Sequence, residues 1–338
     1  MVSIKKEELL ATLDRIASTP ILVVGDLILD RYIWGKVDRI SPEAPVPVVE
    51  VIKTEGRLGG AGNVVRNLAT IGAKPSVCGL IGDDEDGRDL MALFREIGAN
   101  VDGVVVDRSR PTTVKTRVIA ATQQIVRIDR EKKAADSPDA SKRMVEAINR
   151  SIEGSRAVIL SDYGKGAVCS EVLDALQRAS ADHRLELSVR PLFVDPHPRN
   201  YNNYRSMSVA KPNRKEAEIA SGRSINSVAD AFEAADVLMR KWNSEMMVIT
   251  LGEDGMIVKQ AGEAKGVHLE TMAQEVFDVS GAGDTVTALF CSALAVGATP
   301  TTAGVLANIA AGIVVSEVGT VAVDLDRLRG QIHKWGEA

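Results

Sequence analysis

Cysteine is scarce in this chain: Cys78, Cys169 and Cys291 are the only three in 338 residues, and they lie far apart. That excludes a disulfide framework or a C-x-x-C metal site and reads as buried thiols in a reducing compartment. His183, His197, His268 and His333 never fall at ligand spacing, so a zinc site finds no donors. No apolar run is long enough to span a membrane, because Thr, Asn and Gly interrupt the longest ones. The opening segment, Met1–Ala17, mixes Lys5, Lys6, Glu7 and Glu8 with leucines at helical spacing. It reads as an amphipathic helix rather than a signal peptide, and points to the cytoplasm. An excess of positive charge is missing too: 41 Lys and Arg face 46 Asp and Glu, a net charge of −5. A general nucleic-acid binder is thereby excluded, while a local patch can still take an anionic small molecule.

Familiar fingerprints are also missing. In the one stretch resembling a P-loop, Gly164-Lys165-Gly166, Ile159 stands where the first glycine belongs. No G-x-G-x-x-G follows the first strand, which argues against a dinucleotide enzyme. Neither the H-R-D and D-F-G pair of protein kinases nor the G-x-S-x-G of hydrolases occurs.

What remains is an ordinary globular composition, 45% hydrophobic and 26% charged, long enough for one large α/β domain or two smaller ones. Short apolar runs, Ile21–Val24, Val77–Ile81, Val104–Val106, Ala157–Leu160, Leu192–Val194 and Met247–Thr250, alternate with helical patterns. One helix begins near Gly62, another carries Leu90, Leu93, Phe94 and Ile97, and a third covers Val286–Val296. The alternation predicts a mostly parallel sheet with helices on both faces, and ligands at the carboxyl ends of its strands. Asp26, Asp162, Asp195 and Thr250 should gather there. Residues 32–54 and 112–130 break the pattern with β-type sequence. They read either as one small β appendage over the strand ends or as separate surface loops. The charged stretch Asp129–Asp136 reads as a solvated loop.

The strongest chemical signal is Asp278-Val279-Ser280-Gly281-Ala282-Gly283-Asp284-Thr285, running into an apolar helix. Small residues at a helix start expose unpaired N–H groups, and the aligned peptide dipoles favour an anion there. Asp284 inside such a cradle would repel a resting phosphate, which suits a general base acting on an attacking hydroxyl. The simpler alternative is a helix cap. Gly59-Gly60-Ala61-Gly62-Asn63 allows close backbone approach, with Asn63 able to meet a sugar hydroxyl, or is an ordinary helix entry. Lys211-Pro212-Asn213-Arg214-Lys215-Glu216 spells a capping box. Its functional alternative has Asn213 and Glu216 holding Mg²⁺ through water. Thr250-Leu251-Gly252-Glu253-Asp254-Gly255 suits either a nucleotide over a turn or a plain β-hairpin.

In this order, these motifs resemble the ribokinase-type, or PfkB, sugar kinase family from about Ile21 to about Gly319. The resemblance implies a single domain, a mostly parallel sheet flanked by helices, and a β-sheet lid. It implies Asp284 as catalytic base and Gly281, Ala282 and Gly283 as anion hole. ATP and Mg²⁺ would meet Asn213, Glu216, Thr250, Gly252, Gly255 and Asn308, with a monovalent cation left open. Asp26, Gly59, Gly60 and Asn63 would bind sugar. Lys165 could reach a phosphate, and Asp195 either binds sugar hydroxyls or closes a strand-end turn. The family has Thr where Val279 stands.

A narrower resemblance, to heptose 7-phosphate kinases, is carried by Asp30-Arg31-Tyr32, the run from Arg39 to Val48, Asp162-Tyr163-Gly164-Lys165-Gly166 and Gln274–Ser280. It implies phosphorylation of D-glycero-D-manno-heptose 7-phosphate at O1, on the way to ADP-heptose and lipopolysaccharide core. Some such kinases continue into a nucleotidyltransferase domain; a chain ending at Ala338 resembles the kinase half alone. Arg31, Arg39, Arg57, Lys115, Arg117 and Arg127, in or beside the lid, are candidates for the sugar's phosphate. A kinase of the same fold for another sugar, such as fructose 6-phosphate, or a non-catalytic sugar-phosphate sensor are the alternatives. Exposed lid edges suggest a homodimer through the lid.

Overall fold

The computed structural model describes residues 4–335, apart from 122, 133–136, 183–184, 274–276 and 318. Part of the Gln274–Ser280 motif and part of the charged stretch Asp129–Asp136 therefore lie outside the described residues. The strands are β1 (Pro20–Gly25), β2 (Leu27–Ile40), β3 (Pro47–Gly60), β4 (Lys74–Ile81), β5 (Asn100–Val106), β6 (Thr113–Ala120), β7 (Gln123–Arg130), β8 (Ala157–Ser161), β9 (Leu192–Asp195), β10 (Met207–Ala210), β11 (Ser244–Thr250), β12 (Met256–Gln260) and β13 (Val267–Leu269). The helices are α1 (Lys6–Ile16), α2 (Ala61–Thr70), α3 (Glu85–Glu96), α4 (Pro138–Ile152), α5 (Ser170–Ala181), α6 (Arg214–Ser221), α7 (Val228–Trp242), α8 (Ala282–Ala295), α9 (Pro300–Val314) and α10 (Leu325–His333).

Nine strands form one sheet in the order β13-β12-β11-β10-β9-β8-β1-β4-β5. The seven from β11 to β5 run parallel, and β12 and β13 add an antiparallel edge. Strand β1 shows why the sheet is sandwiched. Ile21 and Val23 belong to the core shared with α2, α8 and α9, whereas Leu22 and Val24 belong to the core shared with α4, α5 and α7. Side chains alternate across a strand, so an all-apolar strand must be covered on both faces.

Residues 32–54 and 112–130 do form one unit. They build a four-stranded sheet, β3-β2-β6-β7, with β2 and β6 parallel. It is longer than its sequence signature. Strand β2 starts at Leu27, separated from the end of β1 by Asp26 alone, and β3 runs to Gly60 against the start of α2. Both roots of this lid thus emerge directly from the main sheet's ligand edge.

Candidate active site

The strand ends converge as the alternation requires. Asp26 follows β1, Asp162 follows β8, Asp195 closes β9 and Thr250 closes β11. Helix α8 points its N-terminus at the same edge. Gly281 caps it with φ of 85°, a left-handed conformation that costs glycine little. A Cβ on Gly281 would also lie 2.8 Å from the Asn63 amide nitrogen. Ala282 N–H bonds Val279 and Thr285 N–H bonds Gly281, so the amides of Gly283 and Asp284 sit in the first turn, where a helix supplies no carbonyl.

Asp284 is almost fully buried beside that turn. Its Oδ1 accepts the Tyr163 hydroxyl at 2.6 Å and its Oδ2 accepts the Asn63 amide at 2.8 Å. Burial pushes its carboxyl up to about 6, against the hydrogen bonds from Tyr163 and Asn63. It is therefore no mere cap: its side chain accepts from distant residues, and α8 has no side-chain cap bond at Gly281. Asn63 Oδ1 is buried with no hydrogen-bond partner among the described residues.

Across from Gly283 stands Lys211, whose Nζ would lie 3.4 Å from a Cβ at that position. Lys211 is buried and ion-paired with Asp195 at 3.1 Å; Thr287 donates to the other oxygen of Asp195 at 3.2 Å. Burial works against the charged ammonium, but Asp195 and Glu216 outweigh it and raise its pKa. First-turn amides, helix dipole and a fixed ammonium together make a site for developing negative charge. Asp195, weighed in the sequence as a sugar ligand or a turn residue, is here the partner of Lys211.

Asn213 and Glu216 complete the capping box: Glu216 N–H donates to Asn213 Oδ1 at 2.9 Å, and Asn213 N–H donates to Glu216 Oε2 at 2.8 Å. Burial and nearby Asp195 raise the Glu216 carboxyl. The box also abuts the candidate nucleotide turn, since Asn213 bridges Thr250 and Thr250 N–H bonds Pro212. Gly252 and Gly255 shape the short turn between β11 and β12, with positive φ of 66° and 80°. A Cβ on Gly255 would strike the backbone of Leu269 and Thr271, and Asn308 on α9 donates to Glu270 at 2.6 Å. Thr250, Gly252, Gly255 and Asn308 therefore share one wall. Among the described residues no three His, Cys, Asp or Glu side chains gather to hold a metal. One amide and one carboxylate beside a cationic pocket fit Mg²⁺ held through water, since that ion keeps most of its water shell.

Among the candidate sugar residues, Asp26 uses both carboxylate oxygens on backbone amides: Tyr163 and Lys165 at 2.8 and 3.0 Å, Ala167 at 2.8 Å. It shapes the turn that carries Tyr163 and Lys165. Asp162 is held by Asn200, Tyr204 and Gly164, and burial and the charge of Asp26 push it up to about 6. Gly59 and Gly60 pass close beneath Asp30 and Asp26, where a Cβ would collide. Lys165 pairs with Glu131 at 2.5 Å.

The lid cations differ in what holds them. Arg31 binds Asp86 at 2.6 Å, Arg117 binds Asp30 at 2.6 Å, Arg57 binds Glu55, and Arg127 binds Asp129. Arg39 is exposed near the outer end of β2. Lys115 is half-buried without a carboxylate in salt-bridge range among the described residues, and lies 5.9 Å over the Tyr163 ring. Burial lowers its pKa. Val279, where the family pattern has Thr, is 69% exposed.

Tyr163 and Lys211 lie within motifs of the sequence that assign them no role of their own. Neither carried a local signal: Tyr163 meets Asp284, and Lys211 meets Asp195, only through the fold.

A model of the pfkB family of carbohydrate kinases matches residues 18–327. The chain is 44% identical over 310 residues to "Bifunctional protein HldE" of Pelobacter propionicus, covering 92% of this chain and 62% of that protein. It is 45% identical over 317 residues to the protein of the same name from Desulfatibacillum aliphaticivorans, covering 94% and 64%. The chain thus spans a little under two thirds of these relatives' length. Escherichia coli phosphofructokinase-2, solved in complex with potassium, superposes with a TM-score of 0.76 at 16% identity, covering 94% of this chain and 99% of that one. Arabidopsis thaliana ribokinase, complexed with ribose and ATP, superposes with a TM-score of 0.69 at 19% identity, covering 94% and 100%. At those identities the likeness is one of fold.

Proposed function

This chain belongs to the pfkB family of carbohydrate kinases, and on that premise we propose that it transfers the γ-phosphoryl group of ATP to O1 of D-glycero-D-manno-heptose 7-phosphate. The product is the 1,7-bisphosphate, a precursor of ADP-heptose. The observation that carries the reading is the buried carboxylate of Asp284 beside the open first turn of α8 and the ammonium of Lys211. The motifs from Asp30 to Val48 and from Asp162 to Gly166 support the heptose phosphate as acceptor.

Asp284 takes the proton of the O1 hydroxyl as the oxygen attacks the γ-phosphorus in line. The new O–P bond forms as the bond to the bridging oxygen of ADP breaks. The amides of Gly283 and Asp284, with Lys211, hold the charge spread over the transferred group. Asn213 and Glu216 would hold Mg²⁺ through water, where it supplies charge neutralisation to the phosphates. Thr250, Gly252, Gly255 and Asn308 seat the nucleotide. Gly59 and Gly60 line the sugar side, Asn63 holds the base beside it, and Lys115 with Lys165 takes the sugar's phosphate. The lid excludes water from the cleft when closed. Its exposed outer residues, Ile40, Val51, Ile52 and Ile128, suit a homodimer formed through the lid.

A coupled ADP-release assay with Mg-ATP tests the reading, comparing heptose 7-phosphate with fructose 6-phosphate and using Asp284→Asn as control. Heptose-dependent turnover lost in the variant is the expected result. Turnover only with fructose 6-phosphate would keep the kinase and discard the heptose. Binding without turnover would favour a sensor.

A further inference from the structure

We propose that Tyr163 is a positioning residue for the base: its hydroxyl occupies the place at Asp284 that the acceptor hydroxyl must take, and the sugar displaces it. The proposal rests on the kinase reading above. Both oxygens of Asp284 are engaged, one by Tyr163 at 2.6 Å and one by Asn63 at 2.8 Å. Only one of these donors can leave. Asn63 is wholly buried in α2, directly under Gly281. Tyr163 sits partly exposed on a turn followed by Gly164 and Gly166, both at positive φ. Its backbone N–H is held by Asp26, so the ring can swing while the turn stays.

The chemistry of the exchange is like for like. A phenol and a sugar hydroxyl each offer one O–H to a carboxylate oxygen. While the phenol is in place it keeps Asp284 ionised and oriented without admitting water. Lys115 lies over the same ring at 5.9 Å. A phosphate that engages Lys115 therefore takes hold of the other contact that keeps the ring in place.

The test is Tyr163→Phe in the full chain. With no hydroxyl to displace, the dissociation constant for the acceptor sugar phosphate, measured by calorimetry without ATP at neutral to alkaline pH, should fall about 3- to 10-fold, the net worth of one ordinary hydrogen bond. Loss of the bond raises the pKa of Asp284 in the free enzyme. The acid limb of kcat/KM should thus move to higher pH while that of kcat stays, because the bond is already gone in the ternary complex. Weaker sugar binding, or an equal shift of both limbs, would show a static clamp and overturn the proposal. A second reading uses the wild-type enzyme alone. Sugar phosphate added without ATP should give a tyrosine near-ultraviolet difference band, and saturating binding without that band would also overturn it. The band with no turnover for any sugar would instead remove the kinase reading and leave the displacement standing.

Discussion

At the floor of the cleft every charge has a fixed partner: Asp284 with Tyr163 and Asn63, Lys211 with Asp195, Asp26 with three amides. In the sheet above it, β7 is exposed along its whole length and Ile52 is 63% exposed. The floor is built on α8 and on strand ends inside the nine-stranded sheet, so its groups are set before substrate arrives. Such preorganisation stabilises charge in a transition state without rearrangement. The lid has one core-facing side and many charged residues, and its free energy of opening is correspondingly low. In the proposed reaction the difference separates two tasks: the floor would perform the phosphoryl transfer, and the lid would choose the sugar.

Substitutions in the two regions should therefore fail differently. Asp284→Asn should lower kcat by about 10²–10⁴, the range for a positioned base, with the thermal transition of the folded protein retained. Near-normal turnover would break the assignment of chemistry to the floor. Lys211→Met should cost roughly 10²–10³ in kcat through the lost charge on the transferred group. Because it also leaves Asp195 unpaired, denaturant unfolding should register a loss of about 3–5 kcal/mol. On the lid side, Lys115→Met should raise KM for the sugar phosphate about 10- to 100-fold with kcat and the KM for ATP little changed. A fall in kcat instead would merge the two regions.

A pH series sharpens the same contrast. Asp284 and Asp162, both pushed up to about 6, bind protons in the folded state at a pH where the unfolded chain has released them. Their contribution to stability is full below about 4 and is lost as pH rises through about 6, opposite to the usual carboxylate effect. Activity runs the other way, with an acid limb of kcat/KM near 6 as Asp284 ionises. Asp284→Asn should flatten the stability slope across that window, as followed by urea unfolding. The smallest effect is expected at the lid surface. Ile52→Lys with Ile128→Lys should change monomer stability by no more than about 0.5 kcal/mol each, as exposed sites do. Light scattering should show any dimer separating.

The parallel sheet was legible because its strands are short apolar runs closed by Gly-Asp or a polar turn. Strand β10 was not, since Met207–Ala210 is four residues long and contains Ser208. The lid was legible as a unit, but not its roots, because Leu27, Ile28 and Leu29 lack the charged β-type pattern that marks residues 32–54 as an insertion. In the site, Asp284 and the glycines before it stood out by local spacing. The roles of Tyr163 and Lys211 come from contacts spanning 121 residues to Asp284 and 16 to Asp195, which no local pattern encodes. Asp26 shows the converse: its position at a strand end pointed to a ligand, while its carboxylate serves the backbone.

Asp26 joins three elements of the fold at one point. Its carbonyl accepts Ala61 N–H where β3 meets α2, its N–H bonds Ser161 at the end of β8, and its carboxylate grips the turn of Tyr163 and Lys165. Strands β2 and β3, 14 residues each, rise from this fulcrum as a lever. At about 3.3 Å per residue the arm is roughly 45 Å long, so a tilt of about 10° at the root swings the tip by about 8 Å. A cleft can thus open wide enough to pass a sugar phosphate while the atoms around its base move by a fraction of a bond length.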